Sequence, residues 1–301
     1  MKHLLGLNGV SASEIQEILD EAFRMKKEVL QGSKKDSCLS GKSIITLFYE
    51  NSTRTRLSFE LASKYLGATA ANIAASGSSV AKGETLIDTA KTIDSMAADI
   101  IIIRHSSSGA PHLIAKHTNA SVVNAGDGMH EHPTQALLDL MTMKENKGDL
   151  KGLRVAIVGD VKHSRVARSN IYGLHTMGAD VVLGGPTTLM PAEVEAMGVP
   201  VYTDIDKAVE GADVVMGLRI QLERQKKGLF PTVREYHKFF GIDDRRLSLA
   251  AKDAIVMHPG PVNRGVELSA SVIDGEQSVI CDQVTNGVCV RMAVLHLLTQ
   301  Q

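Results

Sequence analysis

Ser52-Thr53-Arg54-Thr55-Arg56 sits where a short apolar run gives way to a helical pattern over residues 57–66. A serine at the helix N-cap leaves the amides of Thr53, Arg54 and Thr55 ahead of the first intrahelical bond. The positive end of the helix dipole and the Arg54 guanidinium add to those donors, so a phosphate is a natural ligand here. The same residues fit a plain capped helix with two surface arginines. No Gly-x-x-x-x-Gly-Lys-Ser/Thr occurs, so a nucleoside triphosphate is not implied. His132-Pro133-Thr134-Gln135 is a second candidate. Pro133 suits a first helical position and pushes His132 out of helical angles, which puts His132 and Gln135 at one helix start. As a bare pattern, such a histidine is more often a cap than a catalyst. Arg104 ends a run of isoleucines, and Arg165 and Arg219 each follow an apolar run; His258-Pro259-Gly260-Pro261 follows another. The carboxyl ends of parallel strands face the ligand crevice, so arginines there describe an anion pocket, with structural salt bridges as the alternative.

The elements that must position these residues are short β-branched runs alternating with helical stretches. Residues 43–49, 100–104 and 121–124 read as strands in the first half, and residues 154–159, 181–184, 214–218 and 254–258 in the second. They lack a two-residue alternation, as strands buried on both faces do, which predicts an α/β chain of two doubly wound domains, each a mainly parallel sheet flanked by helices. A first helix should start at Ser13, where Ser13-Glu14-Ile15-Gln16 fits a capping box, and carry the stripe Ile15, Ile18, Leu19, Ala22, Met25 up to Gly32. The polar stretch 144–152 breaks the pattern and marks the domain boundary. The expected division is 1–147, 148–284, and a C-terminal helix over 285–301 that packs back on the first domain. The charged stretch 221–246 reads as a lid or as an ordinary surface insertion.

Composition limits the function. A length of 301 residues supports two domains. Lys+Arg is 33 against Asp+Glu 34, a net charge of −1, and aromatics are 4% with no Trp, which argues against a nucleic-acid binder. No apolar run approaches the roughly 18 residues of a membrane span, and the run at the N-terminus is too short for a secretory signal, so a cytoplasmic protein is expected. Cys38, Cys281 and Cys289 form no Cys-x-x-Cys, which suggests reduced thiols. The His and acidic residues show no ligand spacing, so no metal and no cofactor are expected.

Taken together, Ser52–Arg56, Arg104-His105, His132–Gln135, Arg219-Ile220-Gln221 and His258-Pro259-Gly260-Pro261 come in the order and at the spacing of the aspartate/ornithine carbamoyltransferase family, which the chain resembles over essentially its whole length. The segment Ser78-Ser79-Val80-Ala81-Lys82-Gly83-Glu84 resembles the mobile loop of the aspartate branch, which carries a serine and a lysine into a neighbouring subunit's site. The ornithine branch has His-Cys-Leu-Pro where this chain has His258-Pro259-Gly260-Pro261. Physics favours the same branch: Arg165, Arg219 and Lys82 would repel a cationic ornithine chain and attract a dicarboxylate. Asn51 stands where the family often has proline, and Gly260 where some relatives have leucine; neither removes a charged or hydrogen-bonding side chain.

The resemblance implies transfer of a carbamoyl group from carbamoyl phosphate to L-aspartate, an early step of de novo pyrimidine synthesis. It implies carbamoyl phosphate held by Ser52, Thr53, Arg54, Thr55, Arg104, His132 and Gln135. Aspartate would be held by Arg165, Arg219, Gln221, Pro259, Gly260 and Pro261, with Ser78 and Lys82 closing the site. Arg54, Thr55, Arg104, His132 and Lys82 would act on the reacting groups. It further implies a homotrimer with shared sites, possible regulatory chains, and a cis Gly260–Pro261 bond. The alternatives are an ornithine or other amino-acid carbamoyltransferase, a dinucleotide-binding dehydrogenase suggested by Val155-Ala156-Ile157-Val158-Gly159 but lacking Gly-x-Gly-x-x-Gly, and a non-catalytic anion-binding subunit.

Overall fold

A computed structural model describes residues 1–34, 36–74, 83–192, 194–220 and 232–300. The chain divides into two compact units, Met1–Met141 with Thr285–Gln301, and Thr142–Val284.

The first unit is built on a parallel sheet of β1 (Ser43–Phe48), β2 (Thr69–Ala74), β3 (Ile100–His105) and β4 (Ser121–Asp127), in the order β2-β1-β3-β4. Ile100, Ile101, Ile102 and Ile103 are all fully buried, as a strand covered on both faces requires. The helices are α1 (Ala12–Leu30), α2 (Thr53–Tyr65), α3 (Leu86–Ser95) and α4 (Ala110–Ala115), followed by α5 (Pro133–Lys147). Leu47, Ile101, Ile103 and Val122 pack with Ala90 and Ile93 of α3 and Ile114 of α4. The expected stripe of α1 is buried at all five positions, each such burial being worth roughly 1.5–3 kcal/mol for the larger side chains. Its cap is Ser11 rather than Ser13: the Ser11 hydroxyl accepts from the Glu14 amide and the Glu14 carboxylate accepts from the Ser11 amide, so the helix starts at Ala12. The expected box would have used Gln16 as the partner of Ser13; the chain instead places Glu14 at the third helical position after Ser11.

Strand β2 has no expected counterpart. Its sequence, Thr-Ala-Ala-Asn-Ile-Ala, is poor in β-branched residues, and its position on the sheet edge relaxes the demand for them. Pairing with β1 supplies what propensity does not, and the Thr46 hydroxyl donates to Asn72 directly across that register.

The second unit holds β5 (Arg154–Val158), β6 (Asp180–Gly184), β7 (Val201–Tyr202), β8 (Val214–Gly217) and β9 (Ile255–Met257), all parallel, in the order β7-β6-β5-β8-β9. Helices α6 (Arg165–Thr176), α7 (Ile205–Val209), α8 (Val233–Phe240), α9 (Asp244–Leu247) and α10 (Ala270–Ile273) accompany them. Its core joins Ala156, Val158, Val182, Val215 and Val256 to Ile205, Val209 and Leu268. The two-residue edge strand β7 also went unforeseen, being too short to leave a pattern. Of the stretch expected as a lid, residues 221–231 lie outside the described residues. Residues 232–246 are not a loose insertion: α8 buries Tyr236, and Arg246 of α9 donates to the carbonyls of Gly241, Lys238 and Phe239.

The unit boundaries fall within α5 and within α11 (Ile280–Leu298), so the expected linker 144–152 begins as helix. Residues 285–301 cluster with the first unit. Arg291 on α11 is buried there, donating to the Ser58 hydroxyl at 2.7 Å and lying 5.0 Å over the Phe59 ring. Among the described residues no helix is long and apolar enough to cross a membrane.

In each sheet the chain winds outward on one side and then returns to the other. The reversal falls between β1 and β3 in the first unit and between β5 and β8 in the second. Ligands of open α/β sheets bind at the carboxyl ends of the strands flanking such a reversal.

Candidate active site

In the first unit, β1 delivers residues 49–52 and β3 delivers Arg104 on either side of the reversal. Phe48 pairs with Arg104 in register, so the two strand ends are level. Ser52 has the extended backbone of an N-cap, and its hydroxyl makes no capping bond. The first bond of α2 runs from the Arg56 amide to the Ser52 carbonyl, so the amides of residues 53–55 come before it. Thr53 and Arg54 are exposed and Thr55 is buried. Arg104 Nη1 donates to the Ala125 carbonyl at 3.2 Å, and its Nε lies 3.5 Å from Glu50 Oε2. Glu50 thus draws the Arg104 guanidinium toward the start of α2, both side chains being 13% exposed. Burial holds the neighbouring His105 imidazole below its ordinary pKa, so it is neutral at pH 7 and adds no charge beside Arg104.

The loop after β4 brings His132 and Gln135. His132 caps α5, its carbonyl accepting from the Gln135 and Ala136 amides, and its side chain is buried. Gln135 Nε2 donates to Asp139 Oδ1 at 3.0 Å one turn on. A carboxylate can only accept, so the Gln135 NH₂ is committed inward and its amide oxygen faces the other way, as an acceptor.

In the second unit, β5 leads to Asp160, whose carboxylate binds both the backbone and Nδ1 of His163, and then to Ser164, which caps α6. Arg165 is the first residue of α6 and is buried. β8 leads through Leu218 to the partly buried Arg219. Gly159 lets these ends come together: its φ is +134°, and a Cβ there would sit 3.0 Å from Leu218 Cβ and 3.1 Å from the Leu218 carbonyl oxygen. Gly159→Ala is expected to strain this crossing by about 1–3 kcal/mol. The loss should read as a lower melting temperature.

β9 leads to His258, Pro259, Gly260 and Pro261, with Gly260–Pro261 cis as expected. His258 Nδ1 accepts from the Gly260 amide at 2.8 Å. The organiser of this end is Glu267, which sequence reading missed. Its buried carboxylate accepts from the Ile220 amide at 2.7 Å, from the Asn263 amide at 2.9 Å and from the Asn263 side chain at 2.6 Å, and burial pushes its pKa up. It ties the backbone after Arg219 to the loop after the cis bond. Glu50, Asp139 and Glu267 share one feature: each is an acidic contact of a candidate site residue or its backbone neighbour, Arg104, Gln135 and Ile220. Only Asp139, four residues from Gln135 on the same helix, left a readable spacing.

Ser78, Lys82 and Gln221 lie outside the described residues. Arg104 lies at the carboxyl end of β3, Ser52, Thr53, Arg54, Thr55, His132 and Gln135 follow strand ends of the first sheet, and Arg165, Arg219, Pro259, Gly260 and Pro261 follow strand ends of the second.

A family profile described as "Aspartate/ornithine carbamoyltransferase, carbamoyl-P binding domain" matches residues 2–145, and one described as "Aspartate/ornithine carbamoyltransferase, Asp/Orn binding domain" matches residues 151–298. The chain is 70% identical over 300 residues to a protein of Ruminiclostridium cellulolyticum named aspartate carbamoyltransferase catalytic subunit, covering 100% of this chain and 96% of that one. Among solved structures, an ornithine carbamoyltransferase from Pyrococcus furiosus superposes with a TM-score of 0.87 at 33% identity, covering 98% of this chain and 96% of that one. An aspartate transcarbamoylase from Trypanosoma cruzi in complex with N-(phosphonacetyl)-L-aspartic acid gives a TM-score of 0.87 at 31% identity, covering 98% and 95%.

Proposed function

We infer the chemistry from one premise: the chain belongs to the aspartate/ornithine carbamoyltransferase family. It transfers the carbamoyl group of carbamoyl phosphate to the α-amino group of L-aspartate, giving N-carbamoyl-L-aspartate and phosphate. Fold likeness does not choose the amine acceptor, because an ornithine carbamoyltransferase superposes as well as an aspartate transcarbamoylase. The 70% identity to an aspartate carbamoyltransferase catalytic subunit does.

The observation that carries the division of labour is that Arg54 and Arg104 lie at or after β1 and β3, and Arg165 and Arg219 after β5 and β8, the strands that flank the reversal of each sheet. In this reading the first unit holds carbamoyl phosphate. The hydroxyls and amides of Ser52, Thr53 and Thr55, with Arg54, hold the phosphate. Arg104, His132 and Thr55 donate to the carbonyl oxygen, where negative charge grows as the amine attacks; such preorganised donors are worth about 3–4 kcal/mol each. The Gln135 oxygen accepts from the carbamoyl NH₂. The second unit holds aspartate, with Arg165 and Arg219 on its two carboxylates, where a planar fork suits bidentate pairing. Pro259, Gly260 and Pro261 wall the amine's approach, and Gln221 orients the same substrate. The amine nitrogen forms a bond to the carbonyl carbon, the bond from that carbon to the phosphate oxygen breaks, and the departing phosphate takes the amine proton. The donor is already activated, so no covalent enzyme adduct is needed, and alignment of two reactants can supply about 7–11 kcal/mol. Two dianions brought to ~4 Å repel by roughly 4 kcal/mol per charge pair at an effective dielectric near 20, which Arg54, Arg104, Arg165, Arg219 and Lys82 offset.

The deciding assay supplies carbamoyl phosphate with aspartate or with ornithine. Carbamoyl aspartate and stoichiometric phosphate are expected, and turnover with ornithine alone would overturn the assignment. We also propose a cytoplasmic homotrimer in which Ser78 and Lys82 serve a neighbour's site. The free state of Cys38, Cys281 and Cys289 fits a reducing compartment. If sites are shared, mixing inactive Lys82→Ala chains with inactive Arg54→Ala chains restores part of the activity. Mixed trimers that stay dead would count against sharing.

A further inference from the structure

We propose that His112, Asp127 and His130 form a binding site for a first-row divalent cation of the zinc class, separate from the substrate-facing groups described above. Sequence reading found no ligand spacing because the three residues come from different elements: His112 from α4, Asp127 from the end of β4, and His130 from the turn that follows. The fold brings one ligand atom of each to within 4.8 Å of the others.

The carboxylate is held as a metal ligand needs to be. Asp127 is fully buried. Its Oδ1 accepts from Asn124 Nδ2 at 2.8 Å and from the Glu131 amide at 3.1 Å, and its Oδ2 accepts from the Gly109 amide at 2.7 Å. Backbone and side-chain donors thus fix both oxygens, and His130 Nδ1 lies 3.1 Å from Oδ2 and 3.2 Å from Oδ1. The His112 ring stands edge-on to the His130 ring, with centroids 5.6 Å apart. Outer partners that fix a coordinating carboxylate in this way are the usual support of metal sites.

The backbone is shaped for the meeting. Gly128 has a φ of +50°, and a Cβ there would lie 2.6 Å from Ser108 Oγ and 2.9 Å from the Ser106 carbonyl oxygen. Only a glycine lets the 106–108 segment lie on the 127–130 turn, and that contact presents α4 and His112 to the carboxylate. Two imidazoles and one carboxylate suit zinc-class ions rather than magnesium or calcium, which prefer all-oxygen shells. Ligand atoms around tetrahedral zinc stand about 3.4 Å apart, so rotation of the imidazoles by about an ångström closes the set. The His130 side chain is 37% exposed, leaving an open side for water as a further ligand.

The test uses the full chain carrying Cys38→Ser and Cys281→Ser, since both thiols are exposed and would compete for metal. After chelation and dialysis it is titrated with Co²⁺, read by the visible bands of four- or five-coordinate cobalt, and then displaced with Zn²⁺. One Co²⁺ per chain is expected, displaced by Zn²⁺ and not by Mg²⁺. His112→Gln and His130→Gln should each weaken uptake more than tenfold, and the double substitution should abolish the bands. Asp127 is left alone because its bonds hold the loop; both histidines reach the surface, and an unchanged melting temperature confirms the fold. Absence of uptake by the parent, or equal uptake by the double variant, overturns the site.

Discussion

Arg104→Ala is expected to lower kcat by roughly 10²–10³-fold, the scale for losing one donor to a developing oxyanion. A folding defect would lower activity too, so the structure must supply the control. Arg104 donates to the Ala125 carbonyl, a bond whose loss costs about 1 kcal/mol. That should move the melting temperature by a few degrees and leave the chain folded. A second contact is more telling. Glu50 lies 3.5 Å from Arg104 Nε and is 13% exposed, so truncating the arginine takes a cation away from that carboxylate, two residues before the Ser52 proposed to hold phosphate. Part of the loss should therefore be repulsion. Adding Glu50→Gln to Arg104→Ala should raise the KM-limited rate at low carbamoyl phosphate while kcat stays low. If Arg104 is only a structural ion-pair partner, the double variant recovers kcat as well, and the assigned role fails.

Arg219→Ala should raise the KM for aspartate by roughly 10–100-fold, as expected for a charge-assisted pair worth about 1.5–3 kcal/mol, with the KM for carbamoyl phosphate close to that of the parent. Arg219→Lys should recover only a small part, because an ammonium supplies a point charge and not a planar fork. The position of Arg219 is set on both sides, by the Leu218 amide bonded to the Val158 carbonyl at 2.7 Å and by the Ile220 amide bonded to Glu267 at 2.7 Å. The backbone will therefore stay in place when the side chain is cut, and initial rates against each substrate separate the two effects. Equal rises in both KM values would remove Arg219 from the aspartate half.

What the sequence disclosed and what it hid follow from where each interaction is encoded. Runs such as Ile100–Ile103 and the α1 stripe Ile15, Ile18, Leu19, Ala22, Met25 encode burial locally, so the parallel sheets and the first helix were readable from them. The reading of α1 erred by two residues because Ser11 and Ser13 each have a capping-box partner three residues on, Glu14 and Gln16, and only the backbone geometry selects Ser11. The edge strand β2 was hidden because tertiary pairing outweighs its weak propensity. Among the functional groups, arginines and histidines following strands announced themselves. Their acidic anchors did not: Glu50 meets Arg104 and Glu267 meets the Ile220 amide across separations of 54 and 47 residues, which no local pattern records. Asp127 and His130 lie three residues apart, but that spacing alone signals nothing, and the partner that gives it meaning, His112, comes from a helix before β4.

The first unit closes with residues from the far end of the chain, and Arg291 is sealed against Ser58 and Phe59. A nascent polypeptide leaving the ribosome therefore has all of residues 142–284 available before the earlier module receives its final helix. The half that is translated first is the half that matures last. A stalled or clipped C-terminus should thus injure phosphate recognition, at the opposite end of the gene, before it injures the module encoded next to the break.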